Sequence, residues 1–190
     1  MKSKKKNFTI KRISLDAMMI ALYVVLGFAK IPIGNMLRIN LAFFAVVISA
    51  TAFSPIDGLI VGFMGEFLSQ VLGPYGLTPS TLLWALPEGV RGGLLGLVML
   101  LFVKKQLSAP VLLKSYKIVF YLIASIVVGM IASLFNTLAL YVDSKMFGYY
   151  TYYMVFGVLL IRLALAAVLS GAFGYVALHV VSALKRNNII

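Results

Sequence analysis

An all-α integral membrane protein, folded as a single six-transmembrane-helix bundle, is what the amino-acid sequence predicts. Three observations lead there. Of the 190 residues, 62% are hydrophobic and 12% are charged, whereas a soluble domain carries about 25% charged residues. So few polar groups cannot cover a water-soluble surface, and lipid must solvate most of the exterior. The apolar residues fall into six segments, most of them near the roughly 20 residues needed to cross a bilayer. The basic residues flank these segments and do not gather on one face.

The first segment covers residues 10–29 and follows a tail with Lys2, Lys4, Lys5 and Lys6. A cleavable signal peptide has a shorter apolar core and a small-residue cleavage site. Further spans follow here, so this stretch is expected to be the retained first helix. The second segment, 41–53, is short for a span and is expected either to extend back through Arg38 or to tilt. The third, 55–72, begins immediately afterwards. Pro55 suits the first turn of a helix and Ser54 can cap it, so segments two and three read as a tight helical hairpin. The fourth, fifth and sixth segments cover 80–103, 117–142 and 152–184.

Loop charges give the orientation. With the N-terminus inside, twelve basic residues fall on the inner side: six in the tail through Arg12, then Lys104, Lys105, Lys114, Lys117, Lys185 and Arg186. Lys30, Arg38 and Lys145 fall outside, and Arg91 and Arg162 lie within spans. The positive-inside rule selects this arrangement, a multi-pass cell-membrane protein with both termini cytoplasmic. The outer connections, 30–38, 73–79 and 143–151, are rich in Gly, Pro and aromatics. They read equally as turns with interfacial tyrosines or as a cover over an outward-facing cavity.

The same features exclude several function classes. The net charge of +12 comes from segments flanking spans, which argues against nucleic-acid binding. Cysteine is absent and His179 is the single histidine, which leaves no disulfide and no plausible metal centre. No G-x-x-x-x-G-K-[ST] loop occurs, so the chain carries no ATP-binding P-loop. Ser170 and His179 lie on one helix about two and a half turns apart, too far for a catalytic dyad.

Ionisable residues within spans are costly and face the bundle interior or water. Glu66, Glu88, Arg91 and Arg162 are of this kind, with Asn136 as a further polar candidate. At about 1.5 Å per residue, Glu66 and Asn136 lie roughly 8–9 Å below the outer ends, Glu88 roughly 12 Å, and Arg91 and Arg162 roughly 15–17 Å. Two readings follow. The arginines suit an anionic ligand and the carboxylates suit ligand donors, with Trp84, Tyr75, Tyr149 and Tyr152 as aromatic walls. Alternatively Glu88 and Arg91, at i,i+3, bridge each other, and Glu66 pairs with Arg162 across helices.

Small residues four apart permit close helix contacts: Ala17 and Ala21 in helix one, and the glycines 89, 92, 93 and 96 in helix four. Such pairs serve packing within the bundle or a partner helix.

The layout, with its basic tail and Ala-x-x-x-Ala in helix one, resembles the substrate-binding S components of energy-coupling factor (ECF) vitamin transporters. The run Arg38-Ile39-Asn40-Leu41-Ala42-Phe43-Phe44, then Phe53-Ser54-Pro55, Gly58 and Gly62, is similar to the folate members. Ala42 and Ser54 stand where those members usually have glycine. The resemblance implies a protein that is not an enzyme, needs no cofactor and binds a vitamin from outside. Docking would be through Ala17 and Ala21 onto a membrane scaffold subunit that carries two ATPase subunits. It points to folate as the vitamin, with pantothenate as the nearest competitor. The substrate-binding residues it implies, together with the polar residues within the spans, are Arg38, Asn40, Glu66, Tyr75, Trp84, Glu88, Arg91, Asn136, Tyr149, Tyr152 and Arg162. A small secondary transporter coupled through Glu66 or Glu88, or a non-transporting membrane protein with purely structural charge pairs, are the other classes. No inverted internal repeat supports the former.

Overall fold

The structure is a computed structural model that describes residues 10–29, 31–33, 37–74, 76–103 and 115–186. Tyr75, the basic loop with Lys104, Lys105 and Lys114, and the tail lysines before residue 10 lie outside the described residues. Six α-helices form the bundle: α1 (Ile10–Phe28), α2 (Phe43–Ala52), α3 (Pro55–Val71), α4 (Thr81–Val98), α5 (Ser115–Met146) and α6 (Leu159–Arg186). A π-helical turn, Met99–Val103, extends α4, and another, Tyr153–Gly157, leads into α6. A short antiparallel hairpin, β1 (Ile31–Ile33) and β2 (Leu37–Ile39), joins α1 to α2, with Pro32 opposite Arg38. The end of the bundle that carries this hairpin is the hairpin end. The opposite end, where α1 and α3 begin, is the basal end.

Three stretches, Thr81–Phe102, Lys117–Met146 and Tyr153–Leu184, are long and apolar enough to cross a membrane. Their outward residues, such as Phe120, Ile123 and Val127 on α5 and Leu160, Ile161 and Val168 on α6, are exposed and apolar, as lipid contact demands. Helices α1 and α3 have 19 and 17 residues, which at 1.5 Å per residue gives about 28 and 26 Å, close to a bilayer core.

Helix α2 neither extends back through Arg38 nor spans. It has ten residues, or about 15 Å. All but Phe44 and Ala52 are buried, because α1, α3, α4 and α6 surround it. A helix enclosed by others has no hydrocarbon thickness to match. Its Phe43, Val47 and Ile48 form the main core with Leu95, Tyr121 and Leu178. Phe173 of α6 packs on Phe43 and Phe44 at centroid distances of 4.8 and 5.2 Å. The hydroxyls of Thr51 and Tyr121 lie 2.6 Å apart and tie α2 to α5.

The turn between α2 and α3 follows the expected chemistry. Ser54 is the N-cap, its hydroxyl accepts from the Asp57 N–H at 3.4 Å, and Pro55 opens the helix. Helices α3 and α4 then cross with their backbones nearly touching. A Cβ on Gly58 would lie 2.6 Å from the Gly92 carbonyl oxygen, and one on Gly96 would lie 2.5 Å from Pro55 Cα. A Cβ on Gly62 or Gly92 would overlap the opposing backbone outright. The glycines of α4 therefore serve packing within the bundle. The α5–α6 crossing uses the same device. Gly129 faces the Ser170 side chain, and Ser125 donates to the Ser170 carbonyl at 2.8 Å. His179 packs edge-on against Tyr175 one turn away on the same helix, 4.5 Å between centroids.

Candidate functional site

The polar centre of the bundle sits toward the hairpin end, between α1, α3 and α4. Helix α1 presents Tyr23 to α3, and Gly65 makes room for its ring: a Cβ there would lie 2.6 Å from Tyr23 Cγ. The Tyr23 hydroxyl donates to Glu66 Oε2 at 2.6 Å, and Gln70 Nε2, one turn further along α3, donates to Glu66 Oε1 at 2.6 Å. Both carboxylate oxygens of Glu66 are thereby engaged.

Across the glycine crossing, α4 supplies Glu88 and Arg91. Arg91 Nη2 approaches Glu88 Oε1 at 3.4 Å, the i,i+3 bridge that the spacing allows. The guanidinium lies over the Phe43 ring, 4.1 Å from its centroid, in a cation–π contact with α2. Glu66, Glu88 and Arg91 are close enough for their charges to act together on Tyr23. Glu66 and Arg91 are each 8% exposed, so the cluster is closed to bulk water.

Not all of its hydrogen-bonding capacity is used. Glu88 Oε2 and Arg91 Nε and Nη1 are buried with no hydrogen-bond partner among the described residues. Leaving such groups unsatisfied costs roughly 1–3 kcal/mol each, more when charged. One free acceptor and two free donors, side by side in an apolar surround, are what a small polar molecule with both functions would satisfy.

The remaining expected site residues are distributed as follows. Trp84 is half-buried one turn before Glu88 on α4. Asn40 Oδ1 accepts from the Ala42 N–H at 2.9 Å and shapes the chain leading into α2. Arg38 lies in β2, described by its backbone alone. Asn136 is exposed on α5. Arg162 does not pair with Glu66. It donates to the Met154 carbonyl at 2.8 Å and the Val155 carbonyl at 3.5 Å, where the π-helical turn leaves carbonyls available. Tyr149 donates to Asp143. Tyr152, 71% exposed, packs on Phe156 in an aromatic group with Tyr141 and Tyr150. Lys145 Nζ lies 4.0 Å from the Tyr150 centroid.

The structure thus joins Glu66, Glu88 and Arg91 and sets Asn136, Tyr149, Tyr152 and Arg162 apart on α5, α6 and their connection. Sequence reasoning missed Tyr23, Gln70 and Phe43. A signal for Gln70 existed, four residues from Glu66 on a helix face. Tyr23 carried none, since a tyrosine in an apolar helix is ordinary.

A helical membrane bundle with a buried, partly unsatisfied polar cluster is a membrane-embedded binding protein in form. Residues 7–170 match the family model described as ECF-type riboflavin transporter, S component, and the chain belongs to that family. Among solved structures it is similar to the S component for biotin from an ECF-type ABC transporter. The TM-score is 0.62 at 16% identity, covering 97% of this chain and 95% of that one. At that identity the likeness is one of fold. It extends over nearly the whole chain.

Proposed function

We propose that this chain is the high-affinity substrate-binding subunit of an ECF-type importer, and that its ligand is a vitamin with a lactam-edged nitrogen heterocycle. The observation that carries the ligand class is the pairing of Glu88 Oε2 with Arg91 Nε and Nη1, all buried and without partners among the described residues. A ring edge with adjacent C=O and N–H groups complements it: the carbonyl accepts from Arg91 and the N–H donates to Glu88. Trp84, half-buried one turn before Glu88 on the same helix, supplies flat apolar surface.

Riboflavin carries such an edge and is the vitamin in the family's description. Folate carries one on its pterin ring and is the second reading, favoured by the run from Arg38 to Phe44 and by Phe53-Ser54-Pro55. Simple carboxylate capture by two arginines has less support, because Arg91 is bridged by Glu88 and Arg162 is taken up by backbone carbonyls.

In this reading the bundle spans the membrane with both termini cytoplasmic, so the hairpin end faces outward and meets the vitamin there. ATP is hydrolysed by two partner subunits on a shared membrane scaffold. The exposed Ala17 and Ala21 on α1 form the shallow face against which a scaffold helix packs.

The test is native mass spectrometry of the solitary chain purified in mild detergent, followed by titration with riboflavin and with folate. A co-purifying flavin or pterin, displaced by the matching vitamin, is the expected result. Absence of any ligand together with no binding of either vitamin refutes the proposal.

A further inference from the structure

The basal end of the bundle holds a second carboxylate–arginine group. Arg12 of α1 donates through Nε to Asp57 Oδ1 at 2.8 Å and through Nη2 to Asp57 Oδ2 and Ser54 Oγ. Ser54 Oγ also donates to Asp57 Oδ2 at 2.7 Å. Asp57 is fully buried, and Arg12 is 24% exposed. Asp16, one turn along α1, is 5% exposed, lies near enough to Asp57 for the two carboxyl groups to interact, and keeps its Oδ1 buried with no hydrogen-bond partner among the described residues.

Beyond that group, helix α1 is held by packing on two neighbouring helices. It packs on α3 and, less extensively, on α2. Its fully buried residues among those described are Asp16, Tyr23 and Gly27, a single stripe facing α3. The outward face, including Ile13, Met18 and Val25, is 52–65% exposed at those positions. In a bilayer there is no hydrophobic driving force between helices, so association rests on close packing and on interhelical hydrogen bonds. Polar contacts between α1 and the α2–α3 unit add to this packing, and among the described residues they include Tyr23 to Glu66 toward the hairpin end, and Arg12 to Asp57 and Ser54 at the basal end.

We infer that the Arg12–Asp57–Ser54 group, with Asp16, is a pin that fixes α1 to the α2–α3 turn, so that a partner bound to the Ala17–Ala21 face moves the whole bundle and does not peel α1 away. Arg12 is a positioning residue here and touches no ligand. The pin rests on the proposal that Ala17 and Ala21 are a docking face. It adds that docking fails when that face is intact but loosely held.

The test uses the chain expressed with its scaffold and ATPase subunits, with the tag on an ATPase. Arg12→Met combined with Asp16→Asn and Asp57→Asn removes the pin without stranding a buried charge. Co-purification of this variant is expected to fall at least tenfold, while helicity by circular dichroism and monodispersity of the solitary chain stay as in the parent. A covalent pin then replaces the ionic one: Arg12→Met with Asp16→Cys and Asp57→Cys, in a chain with no native cysteine. Once its disulfide is verified by mass spectrometry, this variant is expected to co-purify within twofold of the parent, and reduction is expected to reverse the rescue.

Co-purification of the pinless variant within twofold of the parent overturns the inference, as does a verified disulfide that fails to restore it. Ala17→Trp separates the two claims. If Ala17→Trp leaves co-purification intact, the docking face itself is wrong. If Ala17→Trp abolishes it and the pinless variant does not, the pin alone is wrong.

Discussion

The Glu88–Arg91 pair is where a ligand-binding role and a purely structural role make opposite predictions. Arg91 Nη2 and Glu88 Oε1 are 3.4 Å apart, which is worth about 5 kcal/mol of Coulomb attraction at an effective dielectric of about 20. Desolvation offsets most of that, so the intact pair contributes little net stability, while removing one partner costs roughly 3–5 kcal/mol. Arg91→Met should therefore lower the unfolding midpoint sharply by stranding Glu88. Adding Glu88→Gln to it should recover most of the loss. Binding behaves otherwise if the free atoms meet a ligand. Each charged group then gives the vitamin one hydrogen bond worth about 1.5–3 kcal/mol, so each single change should weaken binding roughly 10- to 150-fold. The double variant should regain stability and stay weak in binding. Trp84, the sole tryptophan, lies one turn from Glu88 and reports binding through its fluorescence. If the double variant regains both stability and affinity, or if neither single change weakens binding by more than threefold, the pair is structural and the ligand assignment is refuted.

Other predictions follow from the same geometry. Tyr23→Phe removes the donor to Glu66 Oε2, and thermal unfolding should show a loss of about 1–3 kcal/mol from the uncompensated buried carboxylate. Gly92→Ala should destabilise by at least 1–3 kcal/mol, because the new methyl overlaps the α3 backbone. Gly93→Ala, whose methyl would lie 3.5 Å from Leu59 Cδ1, should be tolerated, and equal effects at the two positions would count against the crossing geometry. Ala17→Trp fills the exposed face of α1 and should abolish co-purification with the scaffold and ATPases while leaving vitamin binding by the solitary chain within twofold.

The helices were legible because hydropathy and the cost of bare backbone in lipid leave few alternatives. Ser54, Pro55 and the glycines of α4 also told their roles, since caps and close crossings depend on local chemistry. The hairpin was less apparent. Ile31, Ile33, Leu37 and Ile39 are β-branched or apolar residues around Gly34-Asn35, a strand-and-turn pattern concealed in a segment that also reads as a loop. Depth along the membrane could be counted from the sequence, but direction around the bundle axis could not. By that count Glu66 and Arg162 lie within about two turns of each other in depth, yet they do not meet, since α3 and α6 have no substantial contact. Arg162 instead takes carbonyls that only the π-helical turn exposes. Tyr23 became part of the site through Gly65, a contact between residues 42 positions apart that periodicity does not reveal.

The distribution of acid in this basic chain ties the two ends of the bundle together. The sequence has five acidic residues, and four of them, Asp16, Asp57, Glu66 and Glu88, lie along the contacts of α3 with α1 and α4. They form two groups, each with two carboxylates and one arginine: Arg12 at the basal end and Arg91 toward the hairpin end. Buried charges of this kind are poor sources of net stability, so net stability is not chiefly what the two groups supply. At the hairpin end the role proposed above is recognition, which the unsatisfied atoms of Glu88 and Arg91 support. At the basal end the Asp57 carboxylate is fully engaged by Arg12 and Ser54, and what it supplies is position: the angle and register at which α1 meets α3. Since Tyr23 and the Ala17–Ala21 face lie on that same helix, the register set at Asp57 positions both the Tyr23–Glu66 hydrogen bond and the face proposed above for a partner helix.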